Sequence, residues 1–264
     1  MSVDLHTTVT GPSEAPPLLL GGSLGSTAQM WQPQAEELST HFRVVRFDLR
    51  GHGLSPVPEG PYTMADLGED VLALMDRLGI ARAHYAGISL GGMIGQWLAL
   101  NAPDRIDRLA LLATSPYPGP PQNWLDRAAL AREKGPGALA DAVVGRWFTE
   151  GYARAHADEV EELRDGIADT PAEGYASCCE AISRWDVREE LPHVTVPTLV
   201  IGGAQDEATP VQGNTDLIAE RIPGAQLVVL DHAAHLLSWQ QAPRVNTLLA
   251  RHMAPEDGGR DPRP

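Results

Sequence analysis

The central part of the chain contains the run Tyr85-Ala86-Gly87-Ile88-Ser89-Leu90-Gly91-Gly92. Residues 82–86 predict the end of a buried strand, and the apolar residues 93–100 predict a helix. A serine with a glycine two residues before it and another two residues after it, between a strand and a helix, is the pattern of a nucleophile elbow. The turn is tight, so small residues must flank the serine, whose hydroxyl then projects at the helix N-terminus. We therefore predict that Ser89 is a nucleophile rather than an ordinary helix cap.

Strands alternate with helices along most of the chain. This alternation predicts an α/β fold with a mostly parallel sheet of about seven strands flanked by helices. The predicted strands cover residues 3–9, 18–20, 43–47, 82–86, 106–112, 197–202 and 225–230, and helices are predicted over 29–39, 63–78, 93–100, 211–221 and a final segment that ends near 253.

The alternation is interrupted after Pro116, where residues 122–190 show helical patterns without a clear strand. A helical insertion between two strands of such a sheet predicts a cap over the C-terminal edge of the strands, where sites in these sheets lie. The predicted organisation is a core in two parts, 1–116 and 191–253, a helical cap at 117–190 and a disordered tail at 254–264.

Composition and charge exclude several classes of function. The 264 residues carry a net charge of −15, which argues against binding to nucleic acid or to an anionic membrane surface. No apolar run is long enough to span a membrane and the N-terminus lacks a secretory pattern, so we expect a cytoplasmic protein. The adjacent Cys178 and Cys179 lack the spacing of a metal site. The sequence leaves the oligomeric state open, and a homodimer is one option.

A serine nucleophile needs a base that takes its proton, and the base needs an acid that holds it in the correct tautomer. In sheets with this elbow the chain order is serine, acid, histidine. Asp206 follows the next-to-last predicted strand, and His235 follows the last one. All three groups are then at C-terminal ends of strands, so we predict that Ser89, Asp206 and His235 converge.

Three neighbouring residues compete for these roles. His232 is one step nearer to the last strand, but the small Ala233-Ala234 pair lets the loop bring His235 inward at the start of the final helix. Glu207 is an alternative acid next to the favoured one. Asp231 is too close to His235 along the chain to fill the usual role.

A glycine-rich loop at residues 21–26 follows a short predicted strand. It lacks the glycine spacing of a phosphate-binding loop, and beside a serine elbow it is better interpreted as an oxyanion loop. We predict that the backbone amides of Leu24 and Leu90 form the oxyanion hole. Asp48 and His52, in a later glycine-rich turn, are expected to shape that turn by hydrogen bonds rather than to act in catalysis.

With these motifs in place, the chain from about residue 4 to 253 resembles the α/β-hydrolase fold family and, within it, the 3-oxoadipate enol-lactonases of the β-ketoadipate pathway of aromatic catabolism. The elbow and the Asp48–Gly53 turn are common to many hydrolases, whereas other motifs are more specific to the lactonases. The motifs that carry the resemblance are Gly22-Ser23-Leu24-Gly25 with Met30-Trp31, Asp48-Leu49-Arg50-Gly51-His52-Gly53, Gly60-Pro61-Tyr62-Thr63, Gly87-Ile88-Ser89-Leu90-Gly91-Gly92, Arg146-Trp147-Phe148-Thr149, Glu173-Gly174-Tyr175 and Ala233-Ala234-His235-Leu236.

The resemblance implies a serine hydrolase that opens a small anionic enol-lactone through an acyl-enzyme. Its partner would be this small-molecule substrate alone, with no metal and no cofactor. Arg146 and Arg184 are candidates to hold the substrate carboxylate. Trp185 and Trp239 lie in stretches that depart from the lactonase pattern and would suit a bulkier substrate. The residues expected to contact substrate are Trp124, Arg146, Trp147, Arg184, Trp185 and Trp239.

Two alternatives stay open. The first is another hydrolase of the same fold, namely an esterase, a larger-lactone hydrolase or a carbon–carbon bond hydrolase. The second is a catalytically inactive ligand-binding member of the fold, against which the complete set of Ser89, Asp206 and His235 argues. Haloalkane dehalogenases and epoxide hydrolases are disfavoured, because their relatives have an aspartate at the position of Ser89.

Overall fold

Seven strands form one sheet in the computed structural model of the protein, which describes residues 1–254. In chain order they are β1 (Thr7–Thr10), β2 (Pro17–Gly21), β3 (Arg43–Phe47), β4 (Ala83–Ile88), β5 (Ile106–Leu112), β6 (Thr198–Gly203) and β7 (Gln226–Leu230). Across the sheet the order is β1-β3-β2-β4-β5-β6-β7. Strand β1 runs antiparallel to β3, and the other neighbouring pairs are parallel. The predicted α/β fold with a mostly parallel seven-stranded sheet is confirmed.

Helices connect the strands. The first part of the chain forms α1 (Gln32–Leu38), α2 (Met64–Arg77) and α3 (Leu90–Asn101). Between β5 and β6 lie α4 (Pro121–Lys134), α5 (Gly137–Val144), α6 (Glu150–Ala155), α7 (Ala157–Ala168) and α8 (Ala172–Ser183). The last part forms α9 (Thr215–Arg221), α10 (Leu237–Gln240) and α11 (Ala242–Met253).

Several element boundaries differ from the predictions for local reasons. The helix predicted over 211–221 begins only at Thr215, because Gly213 has a φ of +79° that a right-handed helix does not allow. The helix predicted from residue 29 begins as a 3₁₀ turn, Ala28–Trp31, before α1. The tail prediction for 254–264 falls, after Ala254, on residues outside the described range.

The centre of the sheet is the core of the molecule. Strands β4 and β6 are buried at every residue. Because side chains of a strand alternate between its two faces, complete burial means that both faces of the sheet are covered. The C-terminal end of each central strand is therefore held by a rigid, closely packed support. Within residues 1–254, no helix is both long and apolar enough to cross a bilayer.

The two adjacent cysteines lie in α8 and are fully buried. Burial raises the pKa of the Cys179 thiol to about 12, and it also raises the pKa of Cys178. The Cys178 thiol donates to the backbone oxygen of Arg50 at 3.9 Å. Both side chains are therefore neutral packing groups of the interior rather than reactive thiolates.

Candidate active site

The turn between β4 and α3 holds Ser89 in a strained backbone conformation, with φ 55° and ψ −117°. A Cβ atom on Gly87 would lie 2.2 Å from the carbonyl oxygen of Gly91. A Cβ atom on Gly91 would lie 2.2 Å from the carbonyl oxygen of Gly21. The two glycines of the motif are thus required because backbone passes directly against backbone. The serine side chain is left partly exposed at the N-terminus of α3.

Replacing Gly87 with alanine is expected to destabilise the protein by about 1–3 kcal/mol or more, since the new methyl group has no space and only backbone to displace. Gly166 in α7 offers a matched control, because a Cβ atom there meets nothing within 4 Å. Gly166→Ala should be neutral or stabilise by up to about 1 kcal/mol through helix propensity. Urea unfolding of both variants measures the contrast, and equal stabilities would contradict it.

The loops after β6 and β7 bring an acid and a base together. Nδ1 of His235 lies 2.9 Å from Oδ2 of Asp206. The other carboxylate oxygen of Asp206 accepts the backbone amides of Ala208 at 2.8 Å and Thr209 at 2.9 Å. The Thr209 hydroxyl donates to Oδ2 at 2.7 Å. The carboxylate is therefore fixed from several directions, and it can hold the histidine with Nε2 unprotonated.

The charge of Asp206 depends on the same contacts. Burial alone would raise the pKa of this carboxyl group. The attraction of His235 and the hydrogen bonds from His235 and Thr209 outweigh burial, so the pKa lies below its usual value. Asp206 is consequently ionised at neutral pH, as an acid that orients a histidine must be.

The alternative acids and the alternative base do not take part in this contact. Glu207 and Asp231 are exposed, and neither lies within ion-pair distance of a histidine in the described part of the chain. His232 is also exposed and has a φ of +57°, and its backbone oxygen rather than its ring is used in a hydrogen bond. Of the acids and histidines considered after β6 and β7, Asp206 and His235 are the pair whose side chains are in contact within residues 1–254.

Two backbone amides beside Ser89 have no acceptor within residues 1–254, namely those of Leu24 and Leu90. Leu90 is the first residue of α3, where amides have no partner inside the helix. The loop of Leu24 is fastened next to the helix by the amide of Gly91, which donates to Gly22 at 2.9 Å. The arrangement suits an oxyanion hole, as the sequence predicts for these two residues.

His52 and Asp48 form hydrogen bonds to the loop of Leu24 and to the residues that follow it. The amide of Gly25 donates to Nε2 of His52 at 2.9 Å, and Nδ1 lies 3.1 Å from the backbone oxygen of Arg50. Burial lowers the pKa of His52, so the ring is neutral. Asp48 accepts the amides of Ala28 and Leu54. These contacts agree with the structural role that the sequence predicts for both residues.

A cavity of about 370 Å³ lies over Ser89 and His235. Leu24 borders it, as do three of the six residues predicted to contact substrate. These three are Trp124, Arg146 and Trp147, from the segment between β5 and β6. That segment thus forms one wall, and loops at the strand ends of the sheet form the other.

The structure does not bring Arg184, Trp185 or Trp239 to this cavity. Arg184 follows the last turn of α8 and is exposed to solvent. Trp185 is buried away from the cavity. The indole of Trp239 points from α10 to α7, where Nε1 donates to Glu159 at 2.8 Å. The prediction that these three side chains contact substrate in this cavity is therefore not supported by their positions.

Arg127 is a cavity residue that the sequence analysis missed. Its guanidinium lies 5.2 Å from the ring centroid of Trp124 and 5.3 Å from that of Tyr175. Its Nε donates to the Tyr175 hydroxyl at 2.9 Å. The helical spacing of Trp124 and Arg127, three residues apart in α4, places both on one face and was the available signal.

Within residues 1–254, no group of three or more histidine, cysteine, aspartate or glutamate side chains is arranged to hold a metal ion. The site combines a serine hydroxyl, a histidine–carboxylate pair and two backbone amides that have no acceptor among residues 1–254. Such a set can deprotonate an oxygen nucleophile and stabilise an oxyanion, which is what acyl transfer needs.

The chain is similar to known proteins over most of its length. Residues 16–242 match the model of the α/β-hydrolase fold family. 3-Oxoadipate enol-lactonase 2 of Acinetobacter baylyi is 40% identical over 92% of this chain and 91% of its own. The crystal structure of the enol-lactonase from Burkholderia xenovorans LB400 has a TM-score of 0.92 and 43% identity over 95% of this chain and 96% of its own. A thermophilic esterase from Thermogutta terrifontis has a TM-score of 0.89 and 31% identity, over 94% of this chain and 92% of its own.

The chain therefore belongs to the α/β-hydrolase fold family. Within that family its relatives include enol-lactonases at 35–40% identity and putative carbamate hydrolases at 28–33% identity, and the enol-lactonase relatives support an enzyme that hydrolyses lactones or esters.

Proposed function

We propose that the protein opens a small anionic enol-lactone, similar to 3-oxoadipate enol-lactone, through a Ser89 acyl-enzyme. The observation that carries the proposal is one cavity that combines Ser89 and His235 with two arginines, Arg127 and Arg146. Neither guanidinium has a carboxylate partner within ion-pair distance among residues 1–254. The 40% identity to an enol-lactonase over most of both chains supports the same choice of substrate.

The groups of the site support the following reaction. His235 takes the proton of the Ser89 hydroxyl while the serine oxygen attacks the lactone carbonyl. The amides of Leu24 and Leu90 bind the oxyanion of the tetrahedral intermediate. The ring C–O bond then breaks, and the ring oxygen leaves as an enolate. The enolate takes the proton that His235 received from Ser89, which gives the enol and then the ketone of the product and leaves His235 neutral. His235 next activates a water that cleaves the acyl-enzyme, and Asp206 orients His235 in both halves.

The two arginines explain how a free carboxylate of the substrate would be recognised. Arg127 is held by the Trp124 and Tyr175 rings and by the Tyr175 hydroxyl, so its orientation is fixed before substrate binds. Arg146 is exposed, and its Nε donates to the backbone oxygen of Ala142 at 3.1 Å. In a chain with a net charge of −15, these two side chains give the cavity a local positive charge.

Replacing Arg127 with glutamine is expected to lower kcat/KM for the anionic enol-lactone about 10- to 100-fold, since a hydrogen bond to a charged group contributes about 1.5–3 kcal/mol. Turnover of a neutral aryl acetate should change little. Arg184→Gln is the matched control, because it removes one positive charge outside the cavity. An equal loss on both substrates would contradict a role in carboxylate recognition.

The size of the cavity favours a small substrate over the bulkier ones that the alternatives require. A volume of about 370 Å³ lies near the lower end of the range of about 300–1,000 Å³ typical of ligand pockets. The tryptophans that suggested a larger substrate, Trp185 and Trp239, do not border it. The likeness to an esterase nevertheless keeps simple esters as the second candidate class.

The test is turnover of 3-oxoadipate enol-lactone by the purified protein, followed as loss of the enol-lactone absorbance, beside a panel of aryl acetates. Fast lactone opening supports the proposal. Ester cleavage without lactone opening would overturn the specific substrate and favour an esterase. Failure of a fluorophosphonate to label Ser89 would instead favour the inactive binding protein.

A cytoplasmic location, a homodimer, and the expected lack of a metal, a cofactor, a nucleic acid partner and a membrane partner stay predictions.

A further inference from the structure

The loop that carries His235 has little regular structure of its own. It runs from the end of β7 to α10 and includes His232 in a left-handed conformation. Its backbone must therefore find partners outside the loop. One partner comes from the loop after β6, where the amide of Gln205 donates to the oxygen of Ala233 at 2.9 Å. Most of the others come from α10 and from the residues just before α6.

Gln240, the last residue of α10, forms hydrogen bonds to the loop on both sides of Ala233. Its Oε1 accepts the amide of Ala234 at 3.2 Å, and its Nε2 donates to the oxygen of His232 at 2.9 Å. The same amide group reaches across to Thr149, with Nε2 donating to Oγ1 at 2.7 Å and Oε1 accepting the backbone amide at 3.4 Å. One primary amide has two donor hydrogens and two acceptor lone pairs, so all four positions are used.

The far end of this link lies close in sequence to two residues of the cavity wall. Thr149 is the N-cap of α6 and follows Trp147 by two residues and Arg146 by three. The backbone oxygen of Trp147 also accepts the amide of Leu236 at 2.8 Å. The segment that supplies two cavity residues is thus tied to the loop that supplies His235.

We propose that Gln240 is a positioning residue that fixes the loop of His235 relative to the cavity wall formed by Arg146 and Trp147. Gln240 does not border the cavity, and it acts through the backbone on either side of Ala233. The inference rests on the proposed role of His235 as the base. Small displacements of a catalytic group are costly, because a shift near 1 Å can lower a rate about 100-fold.

Gln240→Ala is expected to fold, because two other contacts keep α10 in place. These are the Leu236–Trp147 hydrogen bond and the bond from Trp239 Nε1 to Glu159. The variant should lower kcat for an aryl acetate about 10-fold, with KM changed less than about 3-fold, as expected for a loss of alignment rather than of binding. The rate at which a fluorophosphonate labels Ser89 should fall in parallel, since labelling needs the same base.

Three further variants separate this role from general support. Gln241→Ala removes a bond from the neighbouring glutamine to the oxygen of Asp231, without any link to Thr149, and should keep kcat within about 2-fold. Thr149→Val should lower kcat as Gln240→Ala does, and the two losses should not add in the double variant. Thr149→Ser keeps the hydroxyl and should restore nearly normal turnover.

The outcomes distinguish this inference from the proposed function. A lower melting temperature for Gln240→Ala with unchanged kcat and labelling rate would reduce Gln240 to a structural residue and overturn the inference. An equal fall in kcat for Gln241→Ala, or fully additive losses with Thr149→Val, would overturn it as well. Ester cleavage that persists in Ser89→Ala would instead refute the proposed mechanism, and the inference with it.

Discussion

Replacing Ser89 with alanine is expected to lower kcat for lactones and aryl esters by about 10⁵- to 10⁶-fold. The variant lacks the oxygen that we propose forms the acyl-enzyme, and in a serine protease with the same three groups loss of the nucleophile costs about 2 × 10⁶ in kcat. The amides of Leu24 and Leu90, which we propose as the oxyanion hole, come from the backbone and stay in place, so slow residual hydrolysis should remain above the uncatalysed rate. Pre-steady-state mixing with an aryl acetate gives a second measure, because the wild-type burst of acylation should disappear.

Ser183→Ala is the control for this experiment. Its hydroxyl donates to the backbone oxygen of Glu180 at the end of α8, and it does not border the cavity. Turnover should therefore match wild type. Substantial activity in Ser89→Ala, confirmed on protein free of wild-type carry-over, would mean that water is activated directly and that no serine acyl-enzyme forms.

Replacing Asp206 with asparagine is expected to lower kcat by about 10⁴-fold while leaving the fold nearly intact. The amide oxygen of asparagine can still accept the backbone amides of Ala208 and Thr209. Its NH₂ group then faces Nδ1 of His235, which must become an acceptor. The ring proton moves to Nε2, and the base can no longer take the proton of Ser89.

The neighbouring Glu207 supplies the matched control, because it is exposed and outside the hydrogen bonds of His235. Glu207→Gln should keep kcat within about 2-fold, as surface substitutions away from such features usually do. The two variants are compared by single-turnover kinetics at neutral pH. A large loss in Glu207→Gln with little loss in Asp206→Asn would reverse the assignment of the acid.

The strand-end residues could be predicted from sequence because their positions follow from topology. Ser89 comes directly after β4, and Asp206 and His235 lie in the loops that follow β6 and β7. Parallel strands of one sheet deliver their C-terminal ends to the same edge. The glycines around Ser89 were equally informative, since any Cβ atom at Gly87 or Gly91 would lie 2.2 Å from a backbone carbonyl oxygen. Local rules and sheet connectivity were sufficient for these features.

The residues expected to contact substrate were predicted less well. Sequence indicates which residues share one face of a helix, but it does not indicate which part of the molecule that face packs against. Trp239 was expected at the substrate, yet its indole donates to Glu159 on α7. Arg127 was passed over, although Tyr175 of α8 holds it at the cavity. That contact joins residues 48 positions apart, and it depends on how α4 packs against α8.

The division of the cavity between strand ends and inserted helices has a consequence for evolution. The groups proposed for bond cleavage are spread over distant parts of the gene, whereas Trp124, Arg127, Arg146 and Trp147 fall within one short stretch of it. Selection can therefore alter which molecules are accepted through substitutions in that stretch, while the reactive groups are inherited unchanged. Paralogues that arise by gene duplication would be expected to diverge there first.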